Sequence, residues 1–597
     1  MRLLLSSTRI AISKSFRKEL RRLSNSNAAE GSEEEASAHV LQSPFVEDPG
    51  YIRRYRDPSR HDSYQIRDHH HPYSFRIRPT ATQKPPSLRG SSCTPPSTST
   101  PARRARISME QSWLSSSSCQ PSVAVEPIQT HSSPKNVAVC FPGSSSQYMG
   151  MGSFLLNLPE FKHTWQEALA HLESFHSWFL SLNLVDRFRH LGYSPLQAQI
   201  LGAPPSPSSR NLNQIVFEGP QNELSRCTNA QPAILITSMA YLRTLEVEGK
   251  MSLRSMAKVY AGHSSGEYTA CVASNALSFR EGIHLTRLYG LLSERSMKLA
   301  GLVPSTWSKS MADQEVGEGK AARENYKAQM SALLINEKYQ TSLGQKTYDY
   351  QELIELVERF NSPHDDPSLR VEIASFNSSN QIVLSGTRPG VLAACAHLND
   401  LEIANRAADL PCSSPFHSAF MKPAAEGMKI ALDAVTLRVP DKPILITRNC
   451  PATSDSTAMA SEPMVEGRRR RKTGAGSEVI ERAYIAGEKD LEMLKAHLSG
   501  SISRPVWWAE TVNELLHHHH NSSSSSSSSL IPDHLVRPLE LLFVGPGKAL
   551  SNLCKKQIAF NRLNPHTPGL LLPLDHQQQV LTRSLATIED FNLLISS

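Results

Sequence analysis

From residue 136 onward the sequence predicts an α/β fold, and three observations carry that expectation. Val137-Ala138-Val139-Cys140-Phe141 is a short apolar run closed by Pro142-Gly143, as a buried strand and its turn require. Lys258-Val259-Tyr260-Ala261 repeats the pattern and runs into a glycine-bearing turn, Gly262-His263-Ser264-Ser265-Gly266. Longer apolar patterns over 231–245 and 268–276 read as helices. Strands alternating with helices in one chain point to helices packed on a sheet.

The 597 residues divide unevenly. Residues 1–26 carry Arg2, Arg9, Lys14, Arg17, Lys18, Arg21 and Arg22 against one acid, Glu19, with Leu, Ile, Phe and Ser interleaved. This is the composition of a mitochondrial presequence, and Arg9 and Lys14 interrupt the apolar run a secretory signal needs. Mitochondrial matrix localisation is the expectation. Residues 27–134 are rich in Ser, Pro, Arg and His and poor in aliphatic side chains, and read as a disordered linker. The triplet His69-His70-His71 falls there and reads as a solvated tract.

Charge and cysteine usage narrow the function. Residues 1–135 hold 20 Lys and Arg against 12 Asp and Glu, whereas 136–597 hold 43 against 44. The folded part is thus neutral, which argues against a nucleic-acid-binding surface. The nine cysteines form no CxxC pair and no metal-ligand spacing, so free core thiols and no metal are expected. No apolar run approaches the ~18 residues of a membrane-spanning helix. Three polar stretches, about 303–327, 452–476 and 517–529, read as insertions. The second contains Arg468-Arg469-Arg470-Arg471-Lys472, expected as solvated charge in a loop. Long surface insertions cost little, because closure entropy grows slowly with length.

The chemistry converges on Ser264. Gly262-His263-Ser264-Ser265-Gly266 has the GxSxG form of a strand-to-helix elbow. In that turn the serine is pushed out at a strand end, and the following helix offers free N–H groups and a positive dipole end.

These residues also carry a family resemblance. Gly262-His263-Ser264-Ser265-Gly266-Glu267 resembles the GHSxGE motif of malonyl-CoA:acyl carrier protein transacylases and of the acyltransferase domains in fatty acid and polyketide synthases. Six more segments resemble that family in the same order. They are Phe141–Gln147 with Gly150-Met151-Gly152, Gln231-Pro232-Ala233, Phe376-Asn377-Ser378, Leu410 through Pro423, Arg504–Trp508 and Val544–Lys548. The resemblance covers roughly 136–560.

It implies an α/β-hydrolase-like large subdomain, residues 135–296 and 411–597, with an inserted ferredoxin-like small subdomain, residues 297–410. Short strand and helix patterns at 330–335, 351–360, 371–375 and 381–384 agree with the latter. Carried over residue by residue, it implies Ser264 as nucleophile and His417 as general base, with the main-chain carbonyl of Ser501 orienting the imidazole. The amides of Ser265 and Ser144 would form the oxyanion hole. Gln231, Phe416, Asn377 and the position of Tyr289 would line the substrate site.

The sequence departs from the family at two places. Ser144 and Ser145 stand where the family has Gln and Gly. Tyr289 stands where it has a malonyl-binding Arg; Arg287, two residues earlier and about 200° around a helix, points elsewhere unless the backbone shifts. The resemblance implies transfer of a malonyl group from coenzyme A to the phosphopantetheine thiol of acyl carrier protein by a free-standing monomer. No cofactor, metal, nucleic acid or membrane is implied. Three alternatives stand beside it: transfer of an acetyl or other uncharged acyl group, a serine thioesterase using Asp349, Asp365 or Asp409, and a catalytically silent scaffold.

Overall fold

The computed structural model describes residues 137–203, 211–304, 327–336, 350–361, 369–451, 468–472, 478–516, 540–563 and 581–596. The expected presequence, the linker and the 517–529 insertion lie outside the described residues.

Two sheets organise the described chain. The larger has seven strands: β1 (Val137–Phe141), β2 (Ala257–Gly262), β7 (Ile444–Pro451), β8 (Arg468–Lys472), β9 (Glu478–Ile485), β10 (Glu540–Val544) and β11 (Leu581–Leu585). Their order is β11-β10-β1-β2-β7-β9-β8. The first five in that order run parallel, and β9 and β8 close one side as antiparallel strands. Parallel strands are covered on both faces and read as continuous apolar runs, as β1 does. Its side chains divide by the two-residue period of a strand. Val137, Val139 and Phe141 enter the main core, while Ala138 and Cys140 enter a second one on the opposite face.

The main core is covered by helices α1 (Pro159–Glu173), α2 (Cys227–Val247), α3 (Gly266–Ala273), α4 (Phe279–Leu299), α7 (Lys422–Ala434) and α8 (Leu491–Gly500). The opposite face is covered by α9 (Trp508–Leu516) and α10 (Ala549–Leu563). Helix α3 ends three residues before the apolar pattern does. It stops at Ala273 because Ser274 caps it and Asn275 turns to φ 62°.

The smaller sheet contains β3 (Ala328–Ile335), β4 (Val371–Ser378), β5 (Gln381–Thr387) and β6 (Ala404–Asp409) in the order β4-β5-β3-β6, all antiparallel. With α5 (Tyr350–Asn361) between β3 and β4, and α6 (Arg388–Asp400) between β5 and β6, the succession is βαββαβ. This is the ferredoxin-like arrangement, set within the chain of the larger α/β unit. One face buries Leu333, Ile335, Ile382 and Leu384 under the two helices; Met330, Ala332, Ala374 and Val383 join the main core.

The basic pentad is a correction to the sequence reading. Arg468–Lys472 is not a loop but the edge strand of the large sheet, pairing antiparallel with β9 so that Arg470 faces Glu481 in register. Of the stretch about 303–327 only the two ends are among the described residues, and they lie side by side: Val303 bridges Lys327, and the Ala328 amide donates to the Val303 carbonyl at 2.9 Å.

Trp507 joins the two subdomains. It is fully buried, stacks on Phe376 of β4 at 4.5 Å between centroids and meets Tyr350 edge-on at 5.2 Å. Truncation of a buried aromatic costs ~3–5 kcal/mol. Trp507→Ala is therefore expected to lower the chemical-denaturation midpoint by that amount of stability, and an unchanged midpoint would refute the joining role.

Candidate active site

The elbow is built by close backbone approach. A Cβ on Gly262 would stand 2.1 Å from the Glu267 nitrogen, and one on Gly266 would stand 2.3 Å from the Phe141 carbonyl oxygen. The two glycines let β2 turn directly into α3 against β1. The turn forces Ser264 to φ 55°, a left-handed conformation that a non-glycine residue adopts at a cost of ~1–3 kcal/mol. The result is a buried serine presented above the strand ends, at the N-terminus of α3.

His417 reaches it from the loop before α7. The Ser264 Oγ lies 2.8 Å from His417 Nε2. On the other side of the ring, Nδ1 faces the main-chain carbonyl oxygens of Ser501 at 2.8 Å and Arg504 at 3.1 Å. Carbonyl oxygens only accept, so Nδ1 carries the proton and Nε2 is the free base. The His417 amide donates to the Ile502 carbonyl at 2.9 Å, tying its backbone to the same turn. Burial holds the imidazole down at about 4, against the Ser501 hydrogen bond, which favours the charged form.

The remaining walls are neutral. Among the described residues, neither the Ser265 nor the Ser144 amide has a protein acceptor. Gln231 Nε2 donates to the Ser144 Oγ at 2.7 Å, and its buried Oε1 has no partner there. Tyr289 is buried beside the nucleophile, near enough for its phenol to interact with Ser264. Burial raises its pKa, so it remains a donor. Phe416 is buried edge-on to Tyr289 at 5.7 Å. A neutral base beside a serine, with free amides at a helix N-terminus, can perform nucleophilic acyl transfer.

Two of the expected site residues are held by other contacts. The Arg287 guanidinium donates to the Thr228 carbonyl at 2.7 Å and to Asn229 Oδ1 at 3.2 Å, in the first turn of α2. Its contacts therefore run away from Ser264, as the helical angle between positions 287 and 289 requires. Asn377 bonds His263 Nε2 through Oδ1 at 2.9 Å and Gln381 Oε1 through Nδ2 at 3.2 Å. Through Oδ1 it fastens β4 to the elbow. Asp409, one of the carboxylates a hydrolase triad would need, is bound by Ser331 and Arg406. Asp349 and Asp365 lie outside the described residues.

Several contributors were invisible in the sequence. The Arg504 carbonyl is a main-chain group and leaves no residue signature. Cys412 Sγ lies 2.6 Å from the Ser145 Oγ, joining the loop after β1 to the segment before His417. Glu267 and Tyr268 adjoin the elbow motif, but their partners His497 and Leu498 are 230 residues away. Among the described residues no group of His, Cys, Asp and Glu is arranged to hold a metal ion, and no helix is long and apolar enough to cross a membrane.

The depressed His417 pKa sets a pH dependence. Its neutral form, the one that accepts a proton, persists down to about 4. Ser264 acylation should therefore stay level from neutral pH to about 5 and fall about tenfold per unit below the midpoint. The single-turnover rate between pH 3 and 8 tests this, and a midpoint near an ordinary histidine value would contradict it.

Comparison with known proteins follows the same lines. A family model described as an acyl transferase domain matches residues 139–325. The malonyl CoA-acyl carrier protein transacylase of Bacillus subtilis is 28% identical over 421 residues, covering 70% of this chain and 90% of that protein. Its counterpart in Haemophilus influenzae is 26% identical over 346 residues, 58% of this chain and 79% of that protein. Among solved structures, the acyl-carrier-protein S-malonyltransferase of Bartonella henselae is 23% identical, covering 77% of this chain and 98% of that one, with a TM-score of 0.44. With the elbow, the base and the ordered motifs between them, the chain is similar to the malonyl CoA-acyl carrier protein transacylases and carries an acyl transferase domain match over residues 139–325.

Proposed function

We propose that this protein moves a malonyl group from coenzyme A to the phosphopantetheine thiol of an acyl carrier protein through an acyl-enzyme at Ser264. One observation carries the reading. Ser264 Oγ stands 2.8 Å from a neutral imidazole whose other nitrogen is fixed by main-chain oxygens. The relatives named above, malonyl transacylases, supply the acyl group and the acceptor.

The chemistry then runs in two symmetrical halves. Ser264 Oγ attacks the thioester carbonyl while His417 Nε2 takes the hydroxyl proton. Negative charge on the carbonyl oxygen falls to the amides of Ser265 and Ser144. The tetrahedral adduct collapses, the carbon–sulfur bond breaks, and His417 returns the proton to the departing coenzyme A thiolate. The carrier thiol next gives its proton to His417 and attacks the ester. Collapse transfers the acyl group, and Ser264 recovers its hydrogen. Excluding water from the acyl-enzyme makes this a transferase rather than a hydrolase. Tyr289, Gln231 and Phe416 would form the acyl pocket.

The neutral wall of Tyr289 and Phe416 favours one second reading, transfer of an uncharged acyl group. Intact mass spectrometry of the full chain, incubated separately with malonyl-CoA and acetyl-CoA, decides between them. A malonyl adduct that is absent from Ser264→Ala and discharged by a phosphopantetheinylated carrier is the expected result. An acetyl adduct alone would transfer the assignment to the second reading, and no adduct from either would sink both. We place the protein in the mitochondrial matrix on the basic, Ser-rich composition of residues 1–26. A fluorescent reporter fused behind those residues should enter mitochondria, and cytosolic retention would overturn the placement.

A further inference from the structure

Two hydrogen bonds join the helix that follows the nucleophile to the helix that precedes the carbonyls holding His417. Glu267, in the first turn of α3, accepts from His497 Nε2 in the last turn of α8, with Oε1 and Nε2 2.7 Å apart. Next to it, the Tyr268 hydroxyl donates to the Leu498 carbonyl at 3.1 Å. All three side chains are buried. Each tie begins within four residues of Ser264 and ends within four residues of Ser501. The Glu267 amide also donates to the Ser264 carbonyl at 3.0 Å, so Glu267 is fixed at both its backbone and its side chain.

The closed circuit has a geometric consequence. Ser264 meets Nε2 of His417, Nδ1 meets the Ser501 carbonyl, Ser501 follows α8, and α8 returns to α3 through these two bonds. The position of Ser501 relative to Ser264 fixes where the imidazole can stand, and nothing in the local sequence of either helix sets that position. The adjacent buried Glu267 Oε2 has no partner among the described residues, so the carboxylate is anchored through its single bond to His497.

We propose that His497 is a positioning residue for this reaction: its bond to Glu267, seconded by Tyr268 on Leu498, holds the Ser501 carbonyl at the distance that aims His417 Nε2 at Ser264. The inference rests on Ser264 being activated by His417 but not on the identity of the acyl group. A misplacement of about 1 Å far from the chemistry is enough to slow a reaction ~100-fold.

The test uses a fluorophosphonate, which reports serine activation whatever acyl group the enzyme prefers. Ser264 Oγ displaces fluoride from phosphorus, and its proton passes to His417. Failure of the malonyl assignment therefore leaves this experiment intact. On the full chain, His497→Leu should slow phosphonylation ~10–100-fold while leaving the thermal transition cooperative. His497→Gln, which keeps a donor at the Nε2 position, should recover to within about threefold of the parent. In a His417→Ala background the leucine substitution should change the residual rate by less than about twofold, because residues acting as one unit are not additive. A parent-like rate for His497→Leu would overturn the proposal. So would an equal loss in the His417→Ala background, or a glutamine variant as slow as leucine. Should the leucine variant fail to fold, Tyr268→Phe removes one hydroxyl and answers the same question. A loss of ~2–10-fold that vanishes without His417 supports the brace, and a loss that persists refutes it.

Discussion

The turn between α8 and α9 is the constraint on which the rest of the site depends. Within seven residues it gives two carbonyls to His417 Nδ1, one to the His417 amide, a strand-like contact to the small sheet and an aromatic to its core. The strand-like contact is explicit: Val506 donates to the Ala374 carbonyl and accepts from the Phe376 amide, each at 2.9 Å. The base of the reaction and the seating of the small subdomain are thus set by the same short stretch of backbone. A second tie runs in parallel, from the Ala419 amide, just after His417, to Glu372 on β4 at 3.0 Å. Asn377 supplies a third, on His263 beside the nucleophile.

Orienting a histidine with carbonyl oxygens has an electrostatic meaning. A buried carboxylate beside the ring would be costly to desolvate, and it would pull the imidazole toward its charged form. Two carbonyl dipoles fix the tautomer with no net charge, and they leave burial to dominate. His263, fastened by Asn377, also disfavours charge on His417. The imidazolium formed during transfer is correspondingly less stabilised, so the work of charge stabilisation moves to the oxyanion amides and the α3 dipole.

Much of this was legible in the residues. The strands at 137–141 and 257–262 and the elbow between β2 and α3 follow from apolar runs ended by glycine-bearing turns. Ser264, His417 and the Ser501 carbonyl followed from ordered motifs. Three things were not. Main-chain groups such as the Arg504 carbonyl have no side-chain signature. Long-range partners, such as His497 for Glu267, depend on which helix ends the fold brings together. Arg468–Lys472 carries no strand periodicity of its own and is a strand because β9 offers it a ladder. Asn377 shows a further limit: its motif marks the position, but its bond to His263, which ties β4 to the elbow, depends on the assembled fold.

The loop after β1 shows how a departure from the family pattern is absorbed. Ser145, standing where the family has glycine, has φ 79°, a region that disfavours any residue with a Cβ. The structure holds it there with two bonds, one of which, through the hydroxyl, glycine could not make. Its hydroxyl meets Cys412 at 2.6 Å, and its amide donates to Gln147 Oε1 at 2.8 Å. Gln147 in turn donates to the Pro411 carbonyl at 3.1 Å, and Gln231 fixes the neighbouring Ser144. Both Cys412 and Pro411 belong to the segment that leads into His417. Strain at Ser145, next to the Ser144 amide, is therefore offset by contacts that also register this loop against the base. A backbone conformation that glycine reaches through freedom is reached here through constraint, which leaves the Ser144 amide with less room to move when charge develops on the substrate oxygen.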